Sequence, residues 1–205
     1  MSDFTYEKHP TDQALETFEW DSTWLEHCED TTTPRVLYIG DSISCGIRKA
    51  ANRLADGKLL FDGVGTSKAV DNPFLLPTVQ LWATQQGQRR FVLFNNGLHG
   101  WHLDLTEYSA HYEKTVRFLT KEFPAARLLL LLTTHVADPE RDREVVLRNQ
   151  AVLEIAAKYG LPTLDLYALS REHRELLSPD GVHLISEGYE LLAKEILRLL
   201  SKKGE

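Results

Sequence analysis

The chain has 205 residues, of which 42% are hydrophobic and 26% charged, proportions that indicate one globular domain of ordinary size. This balance argues against intrinsic disorder and collagen-like order. The formal net charge of -7 argues against a large non-specific nucleic-acid surface, because such a surface requires clustered lysine and arginine.

The sequence lacks the marks of a secreted, metal-scaffolded or membrane protein. Its two cysteines, Cys28 and Cys45, are too few for a disulfide framework or a four-cysteine zinc site. The first residues carry charges and no apolar stretch of the kind found in a secretory signal. The longest apolar run, residues 128–132, is far shorter than the ~20 residues that span a bilayer. We therefore expect a reduced, soluble, cytoplasmic protein that binds neither nucleic acid nor membrane and whose oligomeric state is left open.

Residues 1–33 are polar but carry three aromatic anchors, and we interpret them as an N-terminal extension packed on a main domain of residues 34–205. The anchors are Phe18, Trp20 and Trp24. Five apolar runs follow in the main domain, and their continuous hydrophobicity is typical of parallel strands that helices cover on both faces. These runs are 35–40, 59–64, 90–95, 127–133 and 162–167.

Helical patterns fill the gaps between the predicted strands. One of them has an N-cap and a helix-initiating proline at residues 138–139 and a helix-ending glycine at Gly160. The alternation of strands and helices predicts a three-layer α/β domain. In such sheets ligands bind beyond the carboxyl ends of the strands, so the residues that follow each strand are the candidates for chemistry.

A serine follows the first predicted strand, and a carboxylate and an imidazole precede the last predicted helix. Gly40 allows a sharp turn out of the sheet, which places Ser42 at the start of a helix with its hydroxyl exposed. Asp180 and His183 lie close enough for the carboxylate to bind one ring nitrogen and fix the other as an acceptor. A serine needs such a base to act as a nucleophile. The three residues fit a nucleophilic triad, and the alternatives are a helix N-cap, a capping turn or a metal pair.

Two blocks of the sequence resemble those of a known enzyme family. The GDSI motif at residues 40–43 resembles the GDS(L/I) block of the SGNH, or GDSL-like, hydrolases, and DGVH at residues 180–183 resembles their terminal DxxH block. The resemblance spans about residues 34 to 200 and makes the main domain the catalytic domain. It implies a flavodoxin-like α/β/α fold around the five-stranded parallel sheet, and ester hydrolysis through an acyl-enzyme without a cofactor. It assigns the nucleophile to Ser42, the base to His183 and the orienting carboxylate to Asp180.

The resemblance also implies an oxyanion hole with three donors. The first two are the Ser42 N–H and a glycine N–H after the second strand, which maps best onto Gly65 and less well onto Gly63. The family's usual GxND becomes GLHG here, so the third donor is either His99 or the preceding Asn96. We expect Asn96, because a neutral amide donates at every pH. The loss of one such donor typically costs ~10²–10³ in rate.

The substrate is expected to be a small ester. We expect Trp101 and His135, which follow the third and fourth strands, to line its pocket, with core packing or a surface loop as the alternative for each. Small members of the family without a lid are often carbohydrate O-acetylesterases, so an acetylated sugar is the expected substrate. The alternatives are a thioesterase or lysophospholipase, a sugar O-acyltransferase with the same triad, and a binding module that lacks turnover.

Overall fold

The computed structural model describes residues 18–201, in which one mixed sheet lies between two layers of helices. The strands are β1 (Asp21–Trp24), β2 (Arg35–Gly40), β3 (Leu60–Thr66), β4 (Arg89–Phe94), β5 (Arg127–Leu131) and β6 (Thr163–Leu164). The helices are α1 (Ser42–Ala55), α2 (Leu75–Ala83), α3 (Leu105–Glu122), α4 (Pro139–Tyr159), α5 (Leu166–Glu172) and α6 (Ser186–Ser201), with a 3₁₀ turn at Arg174–Leu176. The prediction of a three-layer α/β domain is confirmed.

The sheet has the strand order β1-β3-β2-β4-β5-β6, and β2 to β6 run parallel. Numbered from β2, the parallel strands follow the order 2-1-3-4-5 of flavodoxin-like folds. The five predicted parallel strands are therefore present. The switch in strand order falls between β2 and β4, which is where such folds bind their ligands.

A sixth strand corrects the expected five-stranded sheet. β1 pairs antiparallel with β3 at the sheet edge, with Asp21 opposite Thr66 and Trp24 opposite Gly63. Its four residues, DSTW, are mostly exposed and form no apolar run, so hydrophobicity gave no sign of a strand. β1 belongs to the segment that we interpreted as an N-terminal extension, of which residues 1–17 lie outside the described part of the chain.

The last predicted strand is also shorter than expected. The apolar run 162–167 yields only the two residues of β6, because the side chain of Asp165 accepts a hydrogen bond from the Ala168 N–H (2.8 Å) and begins α5. The apolar residues that follow Asp165 are therefore helical. Leu166 packs into the core from this helix.

Two hydrophobic clusters fill the space on either side of the sheet. Along β2, Val36 and Tyr38 join one cluster, whereas Leu37 and Ile39 join the other. Because both faces of the strand are covered, its sequence is continuously apolar. α1 and α6 pack together over the first cluster, and α2 and α3 cover the second. None of the helices described between residues 18 and 201 is both long and apolar enough to cross a membrane.

Candidate active site

The turn after β2 presents Ser42 as the first residue of α1. Asp41 is fully buried and caps the helix, because its Oδ1 accepts a hydrogen bond from the Ile43 N–H (2.9 Å). A Cβ at Gly40 would lie 2.8 Å from that of Ser44 and 3.3 Å from the Asn95 carbonyl oxygen, so the turn requires glycine. Burial raises the pKa of the Asp41 carboxyl, and the nearby His99 partly offsets this effect. Asp41 thus shapes the turn, and Ser42 carries the accessible hydroxyl.

His183, 141 residues after Ser42 in the sequence, connects Ser42 to Asp180. Its Nε2 lies 2.8 Å from Ser42 Oγ, and its Nδ1 lies 2.7 Å from Asp180 Oδ2. The N–H groups of Val182 and His183 bind the carboxylate of Asp180 and hold its pKa well below its usual range. An ionised carboxylate only accepts hydrogen bonds, so His183 Nδ1 carries a proton and Nε2 accepts the Ser42 hydroxyl.

Two backbone hydrogen bonds fix the loop that holds Asp180 and His183. The Ser178 N–H donates to the His183 carbonyl (2.8 Å), and the Ala137 N–H donates to the Gly181 carbonyl (2.7 Å). Gly181 has φ +73°, and a Cβ there would lie 2.8 Å from that of Ala137. The segment after β5 therefore supports the loop, and glycine lets the two approach.

Gly65 lies beside the turn that presents Ser42. A Cβ at Gly65 would lie 2.2 Å from Cys45 Sγ and 3.5 Å from the Asp41 carbonyl oxygen. By contrast, Gly63 packs under the side chain of Arg48, 2.5 Å from its Cδ. Gly65 is thus the glycine that lies next to the Ser42 turn, and its role as the second donor stays a prediction. β1 runs alongside, with Ser22 paired to Gly65, so the N-terminal segment contributes directly to this end of the sheet.

Asn96 and His99 occupy different environments in the segment after β4. Asn96 is only 1% exposed, and its Nδ2 donates to the Lys68 carbonyl (2.8 Å). His99 is half-buried, lies close enough to Asp41 to lower its pKa, and meets the ring of Trp20 edge-on at 6.3 Å. The amide of Asn96 is thus bound within the fold, whereas the imidazole of His99 lies near the Ser42 turn.

A cavity of about 600 Å³ opens beside Ser42 in the groove between α1 and α6. It is lined by Ser42, Cys45, Gly46, Lys49, Ala50, Arg53, Ser186 and Tyr189. Gly46 leaves room for the ring of Tyr189, whose nearest atom would lie 2.3 Å from a Cβ at that position. Within residues 18–201, no three His, Cys, Asp or Glu side chains gather as a potential set of metal ligands.

The structure does not bring Trp101 or His135 into the lining of the cavity beside Ser42. The ring of Trp101 contacts the guanidinium groups of Arg141 (4.3 Å) and Arg148 (4.5 Å). His135 Nδ1 lies 2.7 Å from Asp142 Oδ1, and the other oxygen of Asp142 accepts from the Tyr167 hydroxyl. Both side chains are therefore engaged in contacts around α4.

Helix α4 also carries two polar residues whose roles the sequence did not reveal. Asn149 binds both backbone groups of Thr133, with Oδ1 accepting from its N–H (2.8 Å) and Nδ2 donating to its carbonyl (2.9 Å). This pair of bonds extends the hydrogen bonding of β5 beyond its end. The second residue, Arg148, reaches the segment after β4 and donates to several of its carbonyl oxygens. The only sequence signal was their spacing, because Arg148 and Asn149 lie three and four residues after Val145 and therefore fall on the apolar side of the helix.

No protein-family model and no curated protein matches the chain. Solved structures match it at low identity. A member of the lipolytic G-D-S-L family from Veillonella parvula is 16% identical, with a TM-score of 0.71 over 83% of this chain and 100% of that one. A lipase/acylhydrolase from Enterococcus faecalis is 18% identical, with a TM-score of 0.66 over 82% and 95%. An acetyl xylan esterase is 17% identical, with a TM-score of 0.62 over 81% and 99%.

These likenesses extend over whole domains, because nearly the full length of each neighbour aligns. They agree with the resemblance carried by the two sequence blocks at residues 40–43 and 180–183. The chain therefore has the α/β/α fold of the SGNH, or GDSL-like, hydrolases.

Proposed function

We propose that the protein is a serine esterase that hydrolyses a small acyl ester through an acyl-enzyme. The observation that carries this proposal is the continuous hydrogen-bonded chain from Ser42 Oγ through His183 to the Asp180 carboxylate. In this chain the hydroxyl faces an acceptor nitrogen, which is the arrangement that activates a serine nucleophile. The chain lies at the N-terminus of α1, where the helix dipole favours developing negative charge.

The proposed reaction has two steps. Ser42 Oγ attacks the ester carbonyl carbon while its proton passes to His183 Nε2, and collapse of the tetrahedral intermediate expels the alcohol, which takes that proton. Water then attacks the acyl-serine, with His183 again accepting a proton. Collapse of the second intermediate releases the acid and returns the proton to Ser42 Oγ. The ionised Asp180 stabilises the imidazolium that forms in each step.

The oxyanion of each intermediate needs donors that are fixed in advance. We assign the first of them to the N–H of Ser42, at the start of α1. The proposed second donor is the N–H of Gly65, a residue of β3 next to the turn that presents Ser42. For the third we now favour His99 over Asn96. The Asn96 amide is buried and donates to Lys68, whereas the His99 imidazole is half-buried and lies near Asp41.

This assignment predicts that His99→Ala lowers kcat about 10²-fold, because one oxyanion donor is lost. His99→Asn should recover most of that loss. The amide restores a donor at position 99, where the SGNH hydrolases that the chain resembles carry asparagine. Both variants are measured with p-nitrophenyl acetate, with Asn96→Ala for comparison. A larger loss in Asn96→Ala than in His99→Ala, with no recovery in His99→Asn, would return the role to Asn96.

The substrate class that we propose is an O-acetyl ester, in keeping with an open site and with a structural neighbour that is an acetyl xylan esterase. Residues 34–205 form the proposed catalytic domain. We also propose a cytoplasmic location, because both cysteines are free thiols. The test compares p-nitrophenyl esters of increasing acyl length with acetylated xylo-oligosaccharides, with and without an acceptor alcohol. Preference for acetate supports the proposal; preference for long acyl chains, or transfer to the alcohol in place of hydrolysis, contradicts it.

A further inference from the structure

The segment after β4 is held by hydrogen bonds to its carbonyl oxygens from two side chains on neighbouring helices. Four of its five consecutive carbonyl oxygens accept such bonds. Arg148 donates to the carbonyls of Gly97 (3.1 Å), His99 (2.7 Å) and Gly100 (2.8 Å), and the Tyr108 hydroxyl donates to that of Asn96 (2.7 Å). The peptide plane that follows His99 is thereby fixed from α4, and the peptide planes that follow Asn96 and Gly97 are fixed from α3 and α4.

Arg148 is built into the core rather than placed on the surface. It is 3% exposed, and its guanidinium carbon lies 4.5 Å from the ring of Trp101 and 4.6 Å from that of Tyr108. A buried guanidinium is costly unless its N–H groups are bonded, and here they meet three carbonyl oxygens. Its planar fork can bind several acceptors at once, which a lysine ammonium on a flexible chain does not reproduce.

Two glycines, Gly97 and Gly100, restrict the backbone conformation of this segment. A Cβ at Gly97 would lie 2.0 Å from Thr133 Oγ1, so the backbone runs directly against the segment after β5. Gly100 has φ +69°, in the left-handed region that favours glycine. His99 lies between these two points, and its carbonyl makes the shortest of the Arg148 bonds. A loss of these bonds would therefore release the backbone at His99 itself.

We propose that Arg148 and Tyr108 are positioning residues that hold the 96–100 segment so that His99 presents its donor to the oxyanion. The inference rests on the proposed function, and neither residue touches the substrate. Preorganised donors stabilise a transition state because they need no rearrangement during the reaction, and a displacement of about 1 Å can cost about 10²-fold in rate. The expected loss therefore falls on kcat rather than on KM.

Tyr108→Phe removes only the hydroxyl oxygen, and Tyr112→Phe on the same helix is a matched control. Tyr108 and Tyr112 are both 1% exposed, but among residues 18–201 the Tyr112 hydroxyl has no hydrogen-bond partner. Tyr108→Phe should lower kcat for p-nitrophenyl acetate about tenfold, with KM within about twofold of wild type, because it frees the Asn96 carbonyl. Tyr112→Phe should leave both constants unchanged. Equal kcat in the two variants would overturn the proposal.

Arg148→Lys tests the guanidinium fork while it retains the positive charge, and we expect kcat to fall about 10²-fold. Val152→Ala, a cavity variant at a 2% exposed position of α4, controls for lost stability and should keep its kcat at 25 °C. An alkyl boronic acid, which mimics the tetrahedral intermediate, should bind Arg148→Lys more weakly by the same factor, while acetate binds as before. Parallel weakening of both ligands would indicate general damage and overturn the proposal.

The outcomes separate this inference from the proposed function. If Arg148→Lys does not fold, the two tyrosine variants decide alone. Turnover that depends on Ser42 but is unchanged in Tyr108→Phe would contradict the positioning role and leave the esterase proposal intact. Absence of Ser42-dependent turnover in the wild-type protein would overturn both.

Discussion

Ser42→Ala is expected to lower kcat/KM for p-nitrophenyl acetate by about 10⁴-fold or more, the scale on which serine hydrolases lose activity without the nucleophile. The physical reason is that no other hydroxyl lies at His183 Nε2 among the described contacts, so the acyl-enzyme no longer forms. Residual hydrolysis would come only from direct attack by a water molecule, aided by the remaining oxyanion donors. Initial rates of the purified wild-type and variant proteins measure the loss.

The same variant should retain the fold. The Ser42 side chain is half-buried and caps no helix, because Asp41 supplies the cap of α1. We expect the melting temperature to change by no more than about 2 °C. A fluorophosphonate should label one residue in the wild-type protein and none in Ser42→Ala, and Ser109→Ala on α3 should react as the wild type does. Labelling of the Ser42→Ala protein, or loss of less than tenfold in its rate, would contradict the nucleophile assignment.

Most of the fold could be predicted because each central strand is buried on both faces and is therefore apolar along its whole length. β2 is the clearest case, since alternate residues along it enter opposite hydrophobic clusters. The edge of the sheet could not be predicted in this way. β1 is held by backbone pairing to β3, and such pairing requires no particular pattern of apolar side chains in the sequence. β6 was predicted too long because Asp165 ends the strand and begins a helix whose first residues are also apolar.

The same distinction separates the site residues that could be predicted from those that could not. Ser42, Asp180 and His183 could be predicted because each occurs in a local motif whose spacing already determines a turn, and the structure brings these three together. Arg148 and Asn149 could not, because their partners are backbone carbonyl and N–H groups from distant segments. The identity of the third donor also depended on tertiary contacts. The bond from Asn96 to Lys68 joins residues 28 positions apart and gives no local signal.

Asp180→Asn is expected to lower kcat about 10³-fold. In the wild-type protein the Asp180 Oδ1 accepts from the N–H groups of Val182 and His183, and Oδ2 accepts from His183 Nδ1. An asparagine can keep its oxygen on the two N–H groups, so its NH₂ then faces Nδ1. The imidazole must turn Nδ1 into the acceptor and place its proton on Nε2, where it can no longer take a proton from Ser42. A buried orienting aspartate is worth about 10⁴ in kcat, and half-exposed Asp180 should be worth somewhat less, because solvent screens its charge.

A second carboxylate–imidazole pair provides the control for this change. His173 Nδ1 lies 3.2 Å from Glu175 Oε1, a similar contact that involves neither Ser42 nor His183. Glu175→Gln should therefore leave kcat and KM unchanged. Because Asp180→Asn retains the turn, its melting temperature should stay near that of the wild type. A fall in kcat at an unchanged melting temperature would then come from the changed tautomer of His183 and not from unfolding of the loop. If Asp180→Asn were as active as Glu175→Gln, the carboxylate would serve only to shape the turn, and the proton on Nδ1 would have to be fixed by some other acceptor.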